Sequence, residues 1–181
     1  MLRLAINGYG RIGRSVLRAL CESSLESELQ VVAVNELADA RTVLHLTRYD
    51  STHGRFNGSL EGDENHLRVN GKPITLLRRP RIEDLPWGEL GVDTVLECTG
   101  LFANKEKAGK HLAGGAKRVV VSAPADGVDA TIVPFKGSPA VITARGLSSR
   151  SPSRFCTAFS SVAMSSGEAA WSSSRRTTSP A

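Results

Sequence analysis

Short, nearly unbroken apolar runs alternate along this chain with longer amphipathic segments. The clearest runs are Leu2–Asn7, Leu29–Asn35, 92–98 and 118–122, and 129–133 is the last stretch that reads as a strand. A strand buried on both faces has no reason to alternate, so these runs predict interior strands of a parallel sheet. Between the first two, the spacing over 11–23 puts Ile12, Val16 and Leu20 on one helical face, with Leu17 and Cys21 beside it. Residues 22–28 read as a polar connection, and strand, helix and strand together fit one βαβ unit. Further helices are expected over 37–46 and 105–112, the second stopped by Gly114-Gly115, and a loop over 47–56. Between Asn57 and Leu77 the period changes to two. His66-Leu67-Arg68-Val69 and Pro73-Ile74-Thr75-Leu76 flank Asn70-Gly71-Lys72, which predicts an antiparallel hairpin inserted into the parallel fold.

What joins the first run to the first helix is Gly8-Tyr9-Gly10-Arg11-Ile12-Gly13. Glycines in the pattern Gly-x-Gly-x-x-Gly between a strand and a helix have a physical job. Gly8 allows a tight turn, Gly10 lets backbone approach a pyrophosphate, and Gly13 lets the helix pack on the sheet. The helix N-terminus then offers free N–H groups and partial positive charge to the anion. The expectation is an α/β fold, a Rossmann-type doubly wound parallel sheet with a small antiparallel hairpin insert, holding a dinucleotide.

Glu36 stands at the tip of the second run, where a ribose-binding carboxylate is expected. It would accept from both ribose hydroxyls and repel a 2′-phosphate, which favours NAD over NADP. It also stands where it would cap the next helix, and the two roles are compatible. Thr99-Gly100 ends the 92–98 run and reads as a second wall of the nucleotide cleft, because ligands sit at the carboxyl ends of such strands. The basic turn Arg78-Arg79-Pro80-Arg81 reads either as a solvated loop or as a border of the adenosine. His53 is expected to pack or hydrogen-bond rather than to catalyse.

Composition adds exclusions. No apolar run approaches membrane-spanning length, so no membrane partner is expected. Cys21, Cys98 and Cys156 are too far apart for a metal pair or a disulfide framework, no metal site is predicted, and the cytoplasm is the expected compartment. The net charge of +5 would suggest nucleic acid, but residues 145–181 hold five arginines against one acid. The remaining 18 bases and 17 acids nearly cancel, so no nucleic-acid partner is expected.

From Gly146 onward 12 of 36 residues are serine, and no clean period survives. Such a composition buries too little apolar surface to offset chain entropy. The expected organisation is therefore a dinucleotide-binding domain over 1–144 and a disordered Ser/Arg-rich tail over 145–181.

Several ordered blocks together resemble the glyceraldehyde-3-phosphate dehydrogenase family, including its relative D-erythrose-4-phosphate dehydrogenase. They are Ala5-Ile6-Asn7-Gly8-Tyr9-Gly10-Arg11-Ile12-Gly13-Arg14, Asn35-Glu36-Leu37, Arg48-Tyr49-Asp50-Ser51-Thr52-His53-Gly54-Arg55-Phe56, Glu97-Cys98-Thr99-Gly100-Leu101-Phe102, Gly115-Ala116-Lys117-Arg118-Val119 and Ser122-Ala123-Pro124-Ala125. The resemblance runs over about residues 2–135. It implies an oxidoreductase that oxidises a sugar-phosphate aldehyde with NAD. It also implies that Arg11 and Ile12 meet the pyrophosphate through backbone N–H groups and that Glu36 holds the ribose. Arg79 would border the adenine, Thr99 would line the adenosine side, and Ser122 would approach the nicotinamide amide.

Asn35-Glu36-Leu37-Ala38-Asp39 is more similar to the erythrose-4-phosphate enzymes, which lead toward pyridoxal phosphate. Ser122-Ala123-Pro124-Ala125-Asp126-Gly127 is more similar to the glycolytic glyceraldehyde-3-phosphate enzymes, the larger group, and the reading leans that way. The family's chemistry needs a cysteine thiolate and a histidine base. The family's Ser-Asn-Ala-Ser-Cys-Thr-Thr-Asn segment is not recognisable around Cys156, the last histidine is His111, and no catalytic residue is assigned. NAD binding without turnover is expected, with the substrate domain missing. The simultaneous loss of period and resemblance near Pro134 is expected to mark a reading-frame slip or a foreign end; translating the other two frames tests this. A non-enzymatic binding or interaction module, or a homo-oligomer formed through the surface that normally meets a substrate domain, is the alternative reading.

Overall fold

The run Leu2–Asn7 is β1, the central strand of the computed structural model, which describes residues 1–125, 127–132 and 142–145. After the glycine turn comes helix α1 (Arg11–Glu22), then a 3-10 turn (Ser24–Ser27) in the expected polar connection, and β2 (Leu29–Asn35). Helix α2 (Ala40–Arg48) leads to the short strands β3 (Tyr49–Asp50) and β4 (Gly54–Arg55). Three strands follow, β5 (Leu60–Gly62), β6 (His66–Val69) and β7 (Lys72–Leu77). Beyond a 3-10 turn (Ile82–Asp84) come β8 (Thr94–Glu97), α3 (Lys105–Ala113) and β9 (Arg118–Val121). The last described strands are β10 (Ala130–Ile132) and β11 (Ile142–Arg145).

Nine of these strands form one sheet in the order β10-β11-β9-β8-β1-β2-β7-β6-β5. β9, β8, β1, β2 and β7 run parallel, and the strands beyond them on either side run antiparallel. β1 lies between β2 and β8, so successive connections leave it in opposite directions. That is a topological switch point, and ligands of such sheets sit there at the carboxyl ends of the strands.

Both faces are covered, as the unbroken apolar runs require. On one face Leu4, Ile6, Val31, Val34, Leu96 and Val120 pack against Val16, Leu17 and Leu20 of α1 and Val43 of α2. On the other, Ala5, Ala33 and Val95 meet Ile82, Leu85, Trp87 and Val92, while Ala108 of α3 packs on Val119 and Val121. Leu4 pairs with Val31 but Ala5 pairs with Ala33, so Val32 is the extra residue of a bulge in β2.

The structure departs from the sequence reading in four places. Ile12 is not a core residue but 52 % exposed, because packing of α1 on the sheet begins only at Gly13 and Val16. α2 starts at Ala40, three residues later than expected, because Asp39 caps it by accepting from the Thr42 N–H at 2.8 Å. The expected loop over 47–56 contains the last turn of α2 and the β3–β4 hairpin. Its turn is held by Asp50 Oδ1, which accepts from the N–H groups of Thr52 and His53, and by Gly54 at φ +70. The predicted hairpin is present, with Asn70 and Gly71 both at positive φ as Asn-Gly turns favour. β7 pairs parallel with β2, so the hairpin continues the main sheet. Finally, β11 follows what reads as the last strand, and its Arg145, expected in the tail, pairs with Val119. The remainder of that expected tail, 146–181, and its Cys156 lie outside the described residues.

Candidate functional site

The glycine turn divides its labour as the motif predicts. Gly8 sits at φ +88, where side chains are strained, and a Cβ there would lie 2.7 Å from Thr99 N. The ends of β1 and β8 therefore approach backbone to backbone. A Cβ on Gly13 would meet Gly8 O at 2.5 Å, so this glycine lets α1 close onto the turn that precedes it. A Cβ on Gly10 would have nothing within 4 Å. Gly10 needs no room for the fold, and the space beside it is open. No side chain caps α1, and its first backbone hydrogen bond runs from Arg14 N to Gly10 O. The N–H groups of Arg11, Ile12 and Gly13 thus present an uncapped helix start to that space, which suits a diphosphate.

Glu36 is tied to the same turn. Its Oε2 accepts from the Tyr9 N–H at 2.9 Å, and its Oε1 accepts from Leu37 N at 2.8 Å and Ala38 N at 3.3 Å. Asp39, not Glu36, caps α2, so the capping role open to Glu36 falls to Asp39. A carboxylate has about four acceptor positions and three are used here, so acceptor capacity remains beside the turn. Tyr9 itself is buried and shares a hydrogen bond with Thr47 at its hydroxyl, which anchors the turn from below.

The strand ends are connected by a buried polar chain that sequence reasoning missed. Trp87 Nε1 donates to His111 Nδ1 at 2.9 Å, so the ring proton of His111 sits on Nε2 and is donated to Glu97 Oε2 at 2.9 Å. Asn7 Nδ2 donates to the same oxygen at 2.6 Å, and Thr99 donates both its N–H and its hydroxyl to Glu97 Oε1. Asn35 Nδ2 donates to Asn7 Oδ1 at 2.8 Å, and Asn35 also clamps the Arg79 backbone from both sides. Glu97 is 1 % exposed and His111 fully buried. Burial pushes the Glu97 carboxyl up, but the hydrogen bonds from His111, Thr99 and Asn7 outweigh it and hold it below the usual range. The available signal was polar residues closing apolar runs, at Asn7, Asn35 and Glu97. Their pairing spans 28 to 90 positions and has no local trace.

The sequence-selected residues fall as follows. Gly8, Gly10, Arg11, Ile12 and Gly13 form the turn and helix start, with Glu36 hydrogen-bonded to it. Thr99 packs on Gly8, and Gly100 follows it at φ +75. Arg79 is exposed, its backbone held by Asn35. Ser122 follows β9, its N–H donating to Glu97 O at 3.0 Å. Cys98, beside Ser122, is no candidate nucleophile: burial pushes its thiol up to about 12. His53 behaves as expected for a hydrogen-bonding residue, with Nδ1 3.1 Å from Asp50. Ile12 (52 % exposed), Leu37 (61 %) and Leu101 (72 %) are large exposed hydrophobics in the segments that come after β1, β2 and β8. Among the described residues no helix is long and apolar enough to cross a membrane.

Residues 2–105 match the family described as "Glyceraldehyde 3-phosphate dehydrogenase, NAD binding domain". The plasmid-encoded glyceraldehyde-3-phosphate dehydrogenase of Cupriavidus necator is 56% identical over 133 residues, which cover 73% of this chain and 40% of that protein. The glyceraldehyde-3-phosphate dehydrogenase of Pseudomonas aeruginosa is 53% identical over 132 residues, covering 73% and 40%. That of Thermotoga maritima is 50% identical over 133 residues, covering 74% and 40%. The matched stretch thus spans about two fifths of these relatives. With a switch point in its sheet, an open glycine turn and this match over more than half its length, the chain belongs to the glyceraldehyde-3-phosphate dehydrogenase family and carries its NAD-binding domain.

Proposed function

We propose that residues 1–144 hold NAD at the switch point of the sheet as the cofactor-binding part of an oxidoreductase acting on a sugar-phosphate aldehyde. The observation that carries this reading is the open, uncapped helix start at Gly10 with the Glu36 carboxylate fixed to the same turn. A dinucleotide is an anionic diphosphate beside a neutral diol, and the site offers N–H donors beside a carboxylate acceptor. The N–H groups of Arg11 and Ile12 take the pyrophosphate, and Glu36 accepts from the ribose hydroxyls. The carboxylate is itself the discriminating element, since a 2′-phosphate would face its charge. Thr99 and Gly100 wall the adenosine side, and Arg79 borders the adenine. Ser122 meets the nicotinamide amide.

Bound NAD supplies the hydride acceptor. Glyceraldehyde 3-phosphate is the substrate favoured, because the relatives compared all bear that name, whereas only the 35–39 segment leaned toward erythrose 4-phosphate. A homo-oligomer in the cytoplasm, with no nucleic acid or membrane partner, completes the reading. Calorimetric titration of the purified chain with NAD and with NADP tests it. Saturable NAD binding at least tenfold tighter than NADP binding is expected, and equal binding of the two, or of neither, refutes the role given to Glu36 and its turn.

A further inference from the structure

Below the site, one carboxylate joins two of the strand ends that shape it, those of β1 and its own β8, to helix α3. Glu97 Oε1 takes both donors of Thr99, and Glu97 Oε2 takes Asn7 at the end of β1 and His111 from α3. Through Asn7 the chain continues to Asn35 at the end of β2, and Asn35 grips Arg79 by donating to its O at 2.9 Å and accepting from its N at 2.9 Å. The two residues assigned to the adenosine side, Thr99 and Arg79, are thus opposite ends of one hydrogen-bonded chain. Neither Glu97 nor Asn35 needs to touch a ligand for this to matter, since both are buried.

We infer that Glu97, acting through Asn7 and Asn35, is the positioning residue of the adenosine subsite: it sets the separation and orientation of the Thr99 and Arg79 walls. The inference rests on the NAD reading above. Its physical content is that a short, fully satisfied buried network has few ways to rearrange. Thr99 is held on both sides, by Glu97 from below and by its backbone contact with Gly8. Any shift of the Glu97 carboxylate must therefore move the wall or break the contact. The remote end of the network is equally fixed. Trp87 occupies Nδ1 of His111 as a donor, which leaves the Nε2 proton for Glu97 alone.

Glu97→Gln is the direct test. Each carboxylate oxygen receives two donors, so the amide NH2 must face two donors whichever way it turns. Asn35→Ala cuts the chain at its other end and removes only the Arg79 grip and the Asn7 bond. NAD and AMP are titrated calorimetrically into the full chain at 10 °C, with circular dichroism reporting folding and Tm. Glu97→Gln is expected to weaken NAD and AMP alike by at least tenfold, the scale of a lost hydrogen bond to a charged group. Asn35→Ala is expected to weaken both by three- to tenfold while remaining folded. A purely architectural network gives the other result: a lower Tm with NAD and AMP affinities within twofold of the parent, which overturns the inference and leaves the NAD reading intact. Should Glu97→Gln not fold at 10 °C, Asn35→Ala decides by the same thresholds. A parent chain that binds neither ligand defeats the NAD reading first and the positioning role with it.

Discussion

Replacing Gly10 and Gly13 separately by alanine separates two functions that the glycine motif combines. At Gly13 the new Cβ would stand 2.5 Å from Gly8 O and 3.0 Å from Ile6 Cγ2. The closer partner is backbone in a turn already pinned by Thr99 and Glu36, so α1 itself must shift outward by several tenths of an ångström. Overpacking of this kind costs about 1–3 kcal/mol. At about 2–4 °C per kcal/mol for a domain of this size, Gly13→Ala should lower Tm by roughly 2–12 °C. At Gly10 the methyl meets nothing, φ is −72, and the backbone gains from a less flexible unfolded state. Gly10→Ala should therefore keep Tm within about 2 °C of the parent by the same scale. The methyl nevertheless occupies the approach to the uncapped helix start. Losing two charge-assisted N–H contacts at about 1.5 kcal/mol each is about a hundredfold in affinity. Thermal melts by circular dichroism and NAD calorimetry on both variants form the assay. A Gly10→Ala protein that binds NAD like the parent, or a Gly13→Ala protein that melts like it, would refute the division of roles.

Three further outcomes are expected. Asn104 caps α3 by accepting from the Lys107 N–H at 2.8 Å, so Asn104→Ala should cost about 1 kcal/mol in urea unfolding. The hydrogen-bonded Glu97 carboxyl is held below its ordinary value of 4.5. A depressed folded pKa stabilises above the unfolded value and is lost as pH falls through the folded one, so unfolding free energy should drop below about pH 4.5. Glu97→Gln should flatten that acid limb. Burial pushes the Cys21 thiol up to about 11 and the Cys98 thiol up to about 12; both should resist a thiol-disulfide reagent at pH 7.5 in the native protein and react in urea, as assigned by peptide mass spectrometry.

Local physics made much of this molecule legible. β1 and β2 were readable to the residue because a strand buried on both faces is apolar throughout, and the Asn70-Gly71 turn because its positive φ angles select those residues. What failed locally failed for stated reasons. Leu37 and the residues after it carry a helical pattern, yet Glu36 takes the N–H groups of Leu37 and Ala38 and Asp39 starts the helix later. Ile12 fits the α1 stripe but lies one residue ahead of the first close contact with the sheet. β3 and β4 are too short to show any period. The site's motif was visible at Gly8–Gly13 and Glu36, whereas the Glu97 chain was not, because its partners meet only after β8 has found β1.

That last pairing bears on how the chain folds as it is made. β1 and β2 can pair as soon as α1 is formed, and β7 then covers the free edge of β2. The other edge of β1 pairs only with β8, whose last residue is 62 positions beyond Asn35. At about 5–20 residues per second, the future centre of the sheet is an unprotected apolar edge for about 3–12 s. An open edge carrying Leu4 and Ile6 is a template for pairing with another nascent chain. The central strand of the finished sheet is thus the most vulnerable during synthesis, which makes the arrival of Thr94–Glu97 the step at which the site forms and this hazard ends.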